Sequence, residues 1–215
     1  MKLVIVTGAS HGLGIYIAQA FHDTGWEVVG TGRSVKSSNL GDSIRYERFD
    51  ASDAVSSRKF FNDIKNDLSK AEVCLVNNAG AYTSGSVSET SVEDYRNQMD
   101  SNYFSAVNMT KGLLDVVDKA RVINVISKSA LSAHANNSAY GSAKSAEMHF
   151  FQSLQVELGS DKYVITNLYP SYIASHGEND VPAIDPNDLS KFVLELAESK
   201  RSYYLSDIVL LPAKQ

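Results

Sequence analysis

Seven short runs stand out, at 3–6, 27–30, 45–49, 73–76, 121–126, 163–168 and 208–211, mainly apolar except for the mixed 45–49 and most of them rich in Val and Ile. Runs of this length and composition predict β-strands, and those at 3–6 and 73–76 are continuously apolar, the pattern of strands covered on both faces. Between them, apolar positions recur at helical spacing over 13–24, 54–68, 92–117, 139–158 and 187–198, with Gly25 and Gly159 placed to end two of the helices. Strands alternating with helix-sized crossovers predict an α/β, doubly wound, mostly parallel seven-stranded sheet with helices on both faces. No repeat or linker interrupts the pattern, so 1–215 is expected to form one domain. The segment 175–186, with Gly, Asn, Asp and two prolines, is its expected loose loop.

Composition narrows the function classes. A 43% hydrophobic share over 215 residues is enough for a core without disulfide or metal staples. The single cysteine, Cys74, lies inside an apolar run and predicts a buried thiol in a reducing cytoplasm. Twenty basic against twenty-five acidic residues leave no excess positive charge for a phosphodiester backbone, so nucleic acid is not an expected partner. No apolar stretch approaches the ~18 residues of a membrane span, so a soluble, unprocessed chain is expected. On that reading the Asn-x-Ser/Thr triplets at Asn108 and Asn136 are chance matches. No metal site is expected either.

The turn after the first strand reads Thr7-Gly8-Ala9-Ser10-His11-Gly12-Leu13-Gly14. Glycines there permit a tight turn, close approach of backbone to a pyrophosphate and close helix–strand packing, while the helix start supplies N–H donors and a positive dipole end. Tyr140 and Lys144 are four apart and share a helix face. That spacing has a chemical use, because a phenol is a poor acid or base at neutral pH and a neighbouring ammonium favours its ionised form.

The glycine spacing, Asn77-Asn78-Ala79-Gly80 after the fourth strand and Tyr140-x-x-x-Lys144, in that order, resemble the short-chain dehydrogenase/reductase family from residue 3 to about residue 211. The resemblance implies a Rossmann fold, with Tyr140 as proton donor and Lys144 as its modulator and a ribose ligand. Ser127, thirteen residues before Tyr140, falls at the place of the family's carbonyl-polarising serine, with Ser129 its rival. Asn102 matches a helical asparagine that passes protons through a water to Lys144, and an asparagine inside a helix hints at a local bend or a bound water. Asn77 and Asn78 read as structural supports. The implied dinucleotide ligands are Gly8, Ser10, His11, Gly12, Leu13, Gly14, Arg33, Ser34, Asp50, Ala51, Asn78, Ala79, Gly80, Tyr140, Lys144, Pro170, Ile173 and Ser175. Two departures stand out. Lys128 replaces a small residue and should point away from Ser127, and Ser171 replaces a usual glycine, which would be strained if a positive φ is required.

Dinucleotide folds specific for NAD carry an acid roughly 20 residues beyond the glycine turn. Here Arg33 and Ser34 stand at that place, with Lys36 or His11 able to add charge, so NADP(H) is favoured over NAD(H); the competing reading makes Arg33 a solvated loop residue. The expected pocket is bounded by 81–85, 129–134, Tyr172 and 175–186, with His134 and His176 in reach, more often packing residues than acids or bases. The sequence therefore reads as an NADP(H)-dependent oxidoreductase of carbonyl reductase type, moving a hydride between nicotinamide and a carbonyl or alcohol. The alternative is a catalytically silent dinucleotide-binding redox sensor acting through a protein partner. Met99, Phe104, Met109, Phe150, Phe151 and Leu154 cover more than one stripe of helices 92–117 and 139–158, and the resemblance implies a homodimer through them, a monomer being the competing state.

Overall fold

The computed structural model describes residues 1–175 and 181–213. Seven strands, β1 (Lys2–Thr7), β2 (Glu27–Gly32), β3 (Arg45–Arg48), β4 (Glu72–Asn77), β5 (Ala120–Val125), β6 (Tyr163–Pro170) and β7 (Asp207–Leu210), form one sheet in the order β3-β2-β1-β4-β5-β6-β7. Every neighbouring pair is parallel. The order reverses between β1 and β4, so the chain leaves the two strands in opposite directions and opens a crevice at their carboxyl ends.

Both faces are covered, which explains the continuous apolar runs. Leu3 and Ile5 of β1, with Val73 and Leu75 of β4, pack under α2 (Ala54–Leu68) and the helices that follow it, in a cluster with Phe60, Phe61 and Phe151. Val4, Val6, Cys74 and Val76 point the other way and meet Ile17 and Phe21 of α1 (Leu13–Asp23). Burial pushes the Cys74 thiol up to about 12 and leaves it an inert core group.

Local chemistry sets the helix ends. Asp53 caps α2 by accepting from the N–H groups of Val55 and Ser56, and Ser91 and Asp94 form a reciprocal capping box on α3 (Val92–Gln98). Gly159, at φ 66, ends α5 (Ser138–Leu158). Asp185 caps α6 (Pro186–Glu198), whose first residue is proline.

The long helix expected over 92–117 is a composite. A π-helical turn, Met99–Phe104, separates α3 from α4 (Ser105–Leu114). Asn102 lies inside this π turn, and α4 stops three residues early at an Asp115 cap. Of the apolar residues that cover more than one stripe of these helices, Met109, Phe151 and Leu154 belong to the core, whereas Phe104 is 43% exposed.

Beneath the crevice a row of polar side chains crosses the sheet. Asn77 of β4 donates to Asn124 Oδ1 at 2.9 Å, Asn124 of β5 donates to Asn167 Oδ1 at 2.8 Å, and Asn167 of β6 donates to Asp207 Oδ1 at 3.2 Å. Each is the direct cross-strand neighbour of the next. Tyr169 Oη also donates to Asp207.

Candidate active site

A cleft of roughly 710 Å³ lies against the residues that follow β1, β2, β4, β5 and β6. At one end is the glycine turn. Gly8 and Gly12 have φ of 69° and 57°, a region that side chains resist. Gly14 does not line the cleft; it lies under the turn, where a Cβ would come within 2.2 Å of the Gly8 carbonyl oxygen. Gly12 offers α1 no side-chain cap, so the first N–H groups of the helix remain available to an anion. Thr7 Oγ1 accepts from the N–H groups of Asn78 and Ala79, while Asn78 Nδ2 donates to the Thr7 carbonyl, tying the loops after β1 and β4 together.

Ser10, His11, Gly12, Leu13, Arg33, Ser34, Asp50, Ala51, Asn78, Ala79 and Gly80 all line this half of the cleft, as does Gly8. Arg48, which pattern reading overlooked, donates from Nε to the Arg33 carbonyl, and Tyr46 Oη donates to the Ser34 carbonyl, so the loop after β2 is held from β3. Lys36 does not join them. Its ammonium donates to the carbonyls of Asp42 and Ile44 instead. Asn108 holds the opposite wall by donating to the carbonyls of Ala51 and Ser52.

In the other half, Ser127, Tyr140, Lys144 and Asn102 converge. Ser127 Oγ accepts from the Ser129 N–H at 3.1 Å, which leaves its O–H to donate elsewhere. Ser129 Oγ is engaged by Asn137 Nδ2 at 2.9 Å. Lys144 Nζ lies 6.0 Å from the centre of the Tyr140 ring, on the same side of α5, and the Tyr82 ring packs edge-on to Tyr140 at 5.1 Å. The π turn aims Asn102 inward: its Nδ2 donates to the carbonyls of Gln98 and Ala81, while Oδ1 is buried with no partner among the described residues. Gly80 leaves room there, since a Cβ on it would sit 2.6 Å from Asn102 Oδ1 and 3.7 Å from Lys144 Nζ.

Lys144 carries a partner that motif reading missed. Its ammonium donates to Glu147 Oε2 at 2.8 Å and to the Val125 carbonyl at 3.3 Å, with both charged side chains buried. Burial by itself would lower the Lys144 pKa, but the Glu147 carboxylate, followed by Tyr140, turns the net direction upward. Burial pushes the Glu147 carboxyl up, with Lys144 opposing. An acid three residues after a lysine on an apolar helix face was the available signal.

Pro170, Ile173 and Ser175 line the cleft. Ser171 is not strained, because Asn136 is the only non-glycine residue with positive φ among those described, and the Ser171 N–H continues the sheet by donating to the Leu210 carbonyl. Lys128, in the 3-10 turn Lys128–Ala130, is half-buried and lines the cleft. Of the expected pocket boundary, Ala81, Tyr82, Ser129, His134, Tyr172 and Ser175 line the cleft. Gly85 instead pairs with the backbone at Asn136 and Asn137. His176 lies outside the described residues.

The family model described as short chain dehydrogenase matches residues 2–183. The chain belongs to the short-chain dehydrogenase/reductase family. It is 31% identical over 188 residues to the rat (Rattus norvegicus) dehydrogenase/reductase SDR family member 7B, a match covering 80% of this chain and 58% of that protein. A second relative, the NADPH-dependent 1-acyldihydroxyacetone phosphate reductase of Schizosaccharomyces pombe, is 28% identical over 172 residues, covering 78% of this chain and 58% of that one. The chain thus spans about three fifths of the length of these relatives. A solved alcohol dehydrogenase from the archaeon Thermococcus sibiricus, complexed with 5-hydroxy-NADP, superposes with a TM-score of 0.87 at 20% identity, over 98% of this chain and 96% of that one, which shows the shared fold.

Short-chain dehydrogenases are oxidoreductases that bind a nicotinamide dinucleotide, and this cleft fits one. The uncapped helix start and the glycine turn suit a pyrophosphate, and the buried Asn102 Oδ1 awaits a donor at the far end. Asp50 is the only acidic side chain lining the cleft among the described residues, against Arg33, Lys128 and Lys144. No cluster of His, Cys, Asp and Glu among those residues is arranged to hold a metal ion, and no helix among them is long and apolar enough to cross a membrane.

Proposed function

We propose that this protein is an NADP(H)-dependent reductase of carbonyl compounds, with Tyr140 as general acid. The observation that carries the reading is that Ser127, Tyr140 and Lys144 meet on one cleft that also contains the glycine turn and Arg33. A bound nicotinamide supplies the hydride. Ser127 donates its free O–H to the substrate oxygen as negative charge grows there, and Tyr140 Oη gives that oxygen its proton. Lys144, beside the phenol, supports the charge left on Tyr140, and Asn102 Oδ1 accepts from the water that returns a proton toward Lys144. Arg33 and Ser34 at the end of β2 support NADP(H) over NAD(H), because a guanidinium binds a 2′-phosphate that a carboxylate would repel. The printed descriptions of the fission-yeast relative and of the archaeal structure agree with that preference. We place the protein in a reducing compartment, as the buried Cys74 suggests, and expect a homodimer through helices 92–117 and 139–158, where Phe104 is exposed.

The test is NADPH oxidation with a panel of aliphatic and aromatic carbonyls. Turnover that falls at least roughly a hundredfold in Tyr140→Phe, with NADPH still bound, supports the reductase. Tight NADPH binding without turnover on any carbonyl would favour the sensor, and light scattering reports the oligomer.

A further inference from the structure

We propose that Glu147 is a positioning residue that keeps Lys144 aimed and charged inside the active site. The inference rests on the reductase reading for its consequence, but not for its geometry. Lys144 is 3% exposed and Glu147 1%. They lie three apart on α5, so the ammonium sits between Tyr140, one turn toward the helix start, and the carboxylate, one turn toward its end.

An ammonium has three protons to give. One goes to Glu147 at 2.8 Å and one to the Val125 carbonyl at 3.3 Å, from opposite elements. These two tethers hold the nitrogen at the cleft wall, 3.7 Å from where a Cβ on Gly80 would lie, and leave its third proton for the cleft. Without Glu147 the first tether is lost, and a dry surrounding favours the neutral amine. A neutral amine supports neither a phenolate nor a ribose hydroxyl as a cation does.

Stability does not explain the pair. Exchanging a buried ion pair for apolar side chains of similar size is often neutral or stabilising, so a carboxylate in this apolar face needs another account. Among the described residues, the other titratable groups facing α5 include Tyr82, packed on Tyr140; Tyr95, bonded to Ser138; Tyr103, packed on Phe150; Lys128 in the 3-10 turn; and Tyr169 of β6 with Asp207 behind it. Tyr169 interacts with the Glu147 charge, but its own hydroxyl is committed to Asp207.

Urea midpoints from pH 7 to 10 for wild type, Glu147→Gln and Lys144→Met/Glu147→Gln isolate the lysine. With Glu147 removed, burial is opposed by Tyr140 alone among the groups named above, and the folded Lys144 pKa is expected to fall below the ordinary 10.5. The folded state then binds fewer protons than the unfolded chain, so stability rises with pH up to that value. Glu147→Gln is therefore expected to gain on the double variant as pH rises, while wild type, with Lys144 raised, shows no such gain. Lost packing alone would move all pH values equally, so parallel curves for the single and double variants would overturn the assignment. Should Glu147→Gln not fold, Glu147→Asp, whose carboxylate is drawn back by one methylene, is expected to show the same trend more weakly, and a curve parallel to wild type overturns it.

The second arm follows NADPH oxidation at pH 7 and pH 9. Relative to wild type, Glu147→Gln is expected to lose roughly tenfold more kcat at the higher pH, with partial rescue in Glu147→Asp. If wild type turns over no carbonyl, the reductase reading fails, and the stability curves still judge Glu147.

Discussion

Gly14→Ala is a one-carbon perturbation whose effects on stability and on cofactor binding separate. The new Cβ would lie 2.2 Å from the Gly8 carbonyl oxygen and 2.8 Å from Asn78 Nδ2, where ordinary contact begins near 3.4 Å. The nearest obstacle is backbone, so the turn and the start of α1 must part by more than an ångström. Alanine is favoured over glycine inside a helix by about 0.8–1.0 kcal/mol, whereas overpacking costs typically about 1–3 kcal/mol, so the fold should lose little. Binding has no such compensation. The shifted backbone is the surface meant for the pyrophosphate, and a displacement of about 1 Å at such a site can cost on the order of a hundredfold. NADPH fluorescence titration should show a Kd raised by roughly tenfold or more, with urea midpoints reporting the smaller change in stability. Gly41→Ala is the control, since its Cβ would meet only Gln19 Oε1, at 3.4 Å, and Ile44 Cδ1, at 4.0 Å. If Gly14→Ala binds NADPH within about twofold of wild type, the pyrophosphate does not rest on this turn.

Arg33→Asp should weaken NADPH by well over roughly tenfold and change NADH little; equal losses in paired titrations would remove Arg33 from the phosphate site. Cys74, buried and pushed up to about 12, should resist a disulfide reagent at pH 8 until the protein is unfolded. Burial pushes the Asp207 carboxyl up, but donors led by Tyr169 outweigh it and bring the net direction below the ordinary 3.8. A depressed carboxyl stabilises the fold above its unfolded value and loses that contribution as pH falls through the folded one. Asp207→Asn should accordingly flatten part of the acid limb of the urea midpoint below about pH 4, and an unchanged limb would refute the assignment.

Much of this molecule could be read from its residue pattern. Runs such as 3–6 and 73–76 declare buried parallel strands because helices cover both faces, and the spacing of Tyr140 and Lys144 sets them on one side of α5. The helix over 92–117 was harder. Apolar periodicity continues through it, and only the wider π turn, stabilised by Asn102 bonding across to Ala81, shows where it changes pitch. Lys36 is close to Arg33 in sequence, yet the carbonyls of Asp42 and Ile44 draw it away. Lys128 lines the cleft from a short 3-10 turn that follows Ser127. Such contacts depend on loop paths that periodicity does not encode. Glu147 was hidden for another reason, since a charge at helical spacing is usually a solvated one.

The row of carboxamides beneath the crevice also governs how the strands can align. Parallel strands with apolar faces would tolerate slippage, because one aliphatic side chain replaces another at little cost. If β5 slid by one position, Asn124 would face the opposite layer and forfeit its links to Asn77 and Asn167 together, stranding buried amides at about 1–3 kcal/mol each. Ser127 begins two residues past the end of β5, so the same ratchet that forbids misalignment delivers its hydroxyl to one place along the crevice.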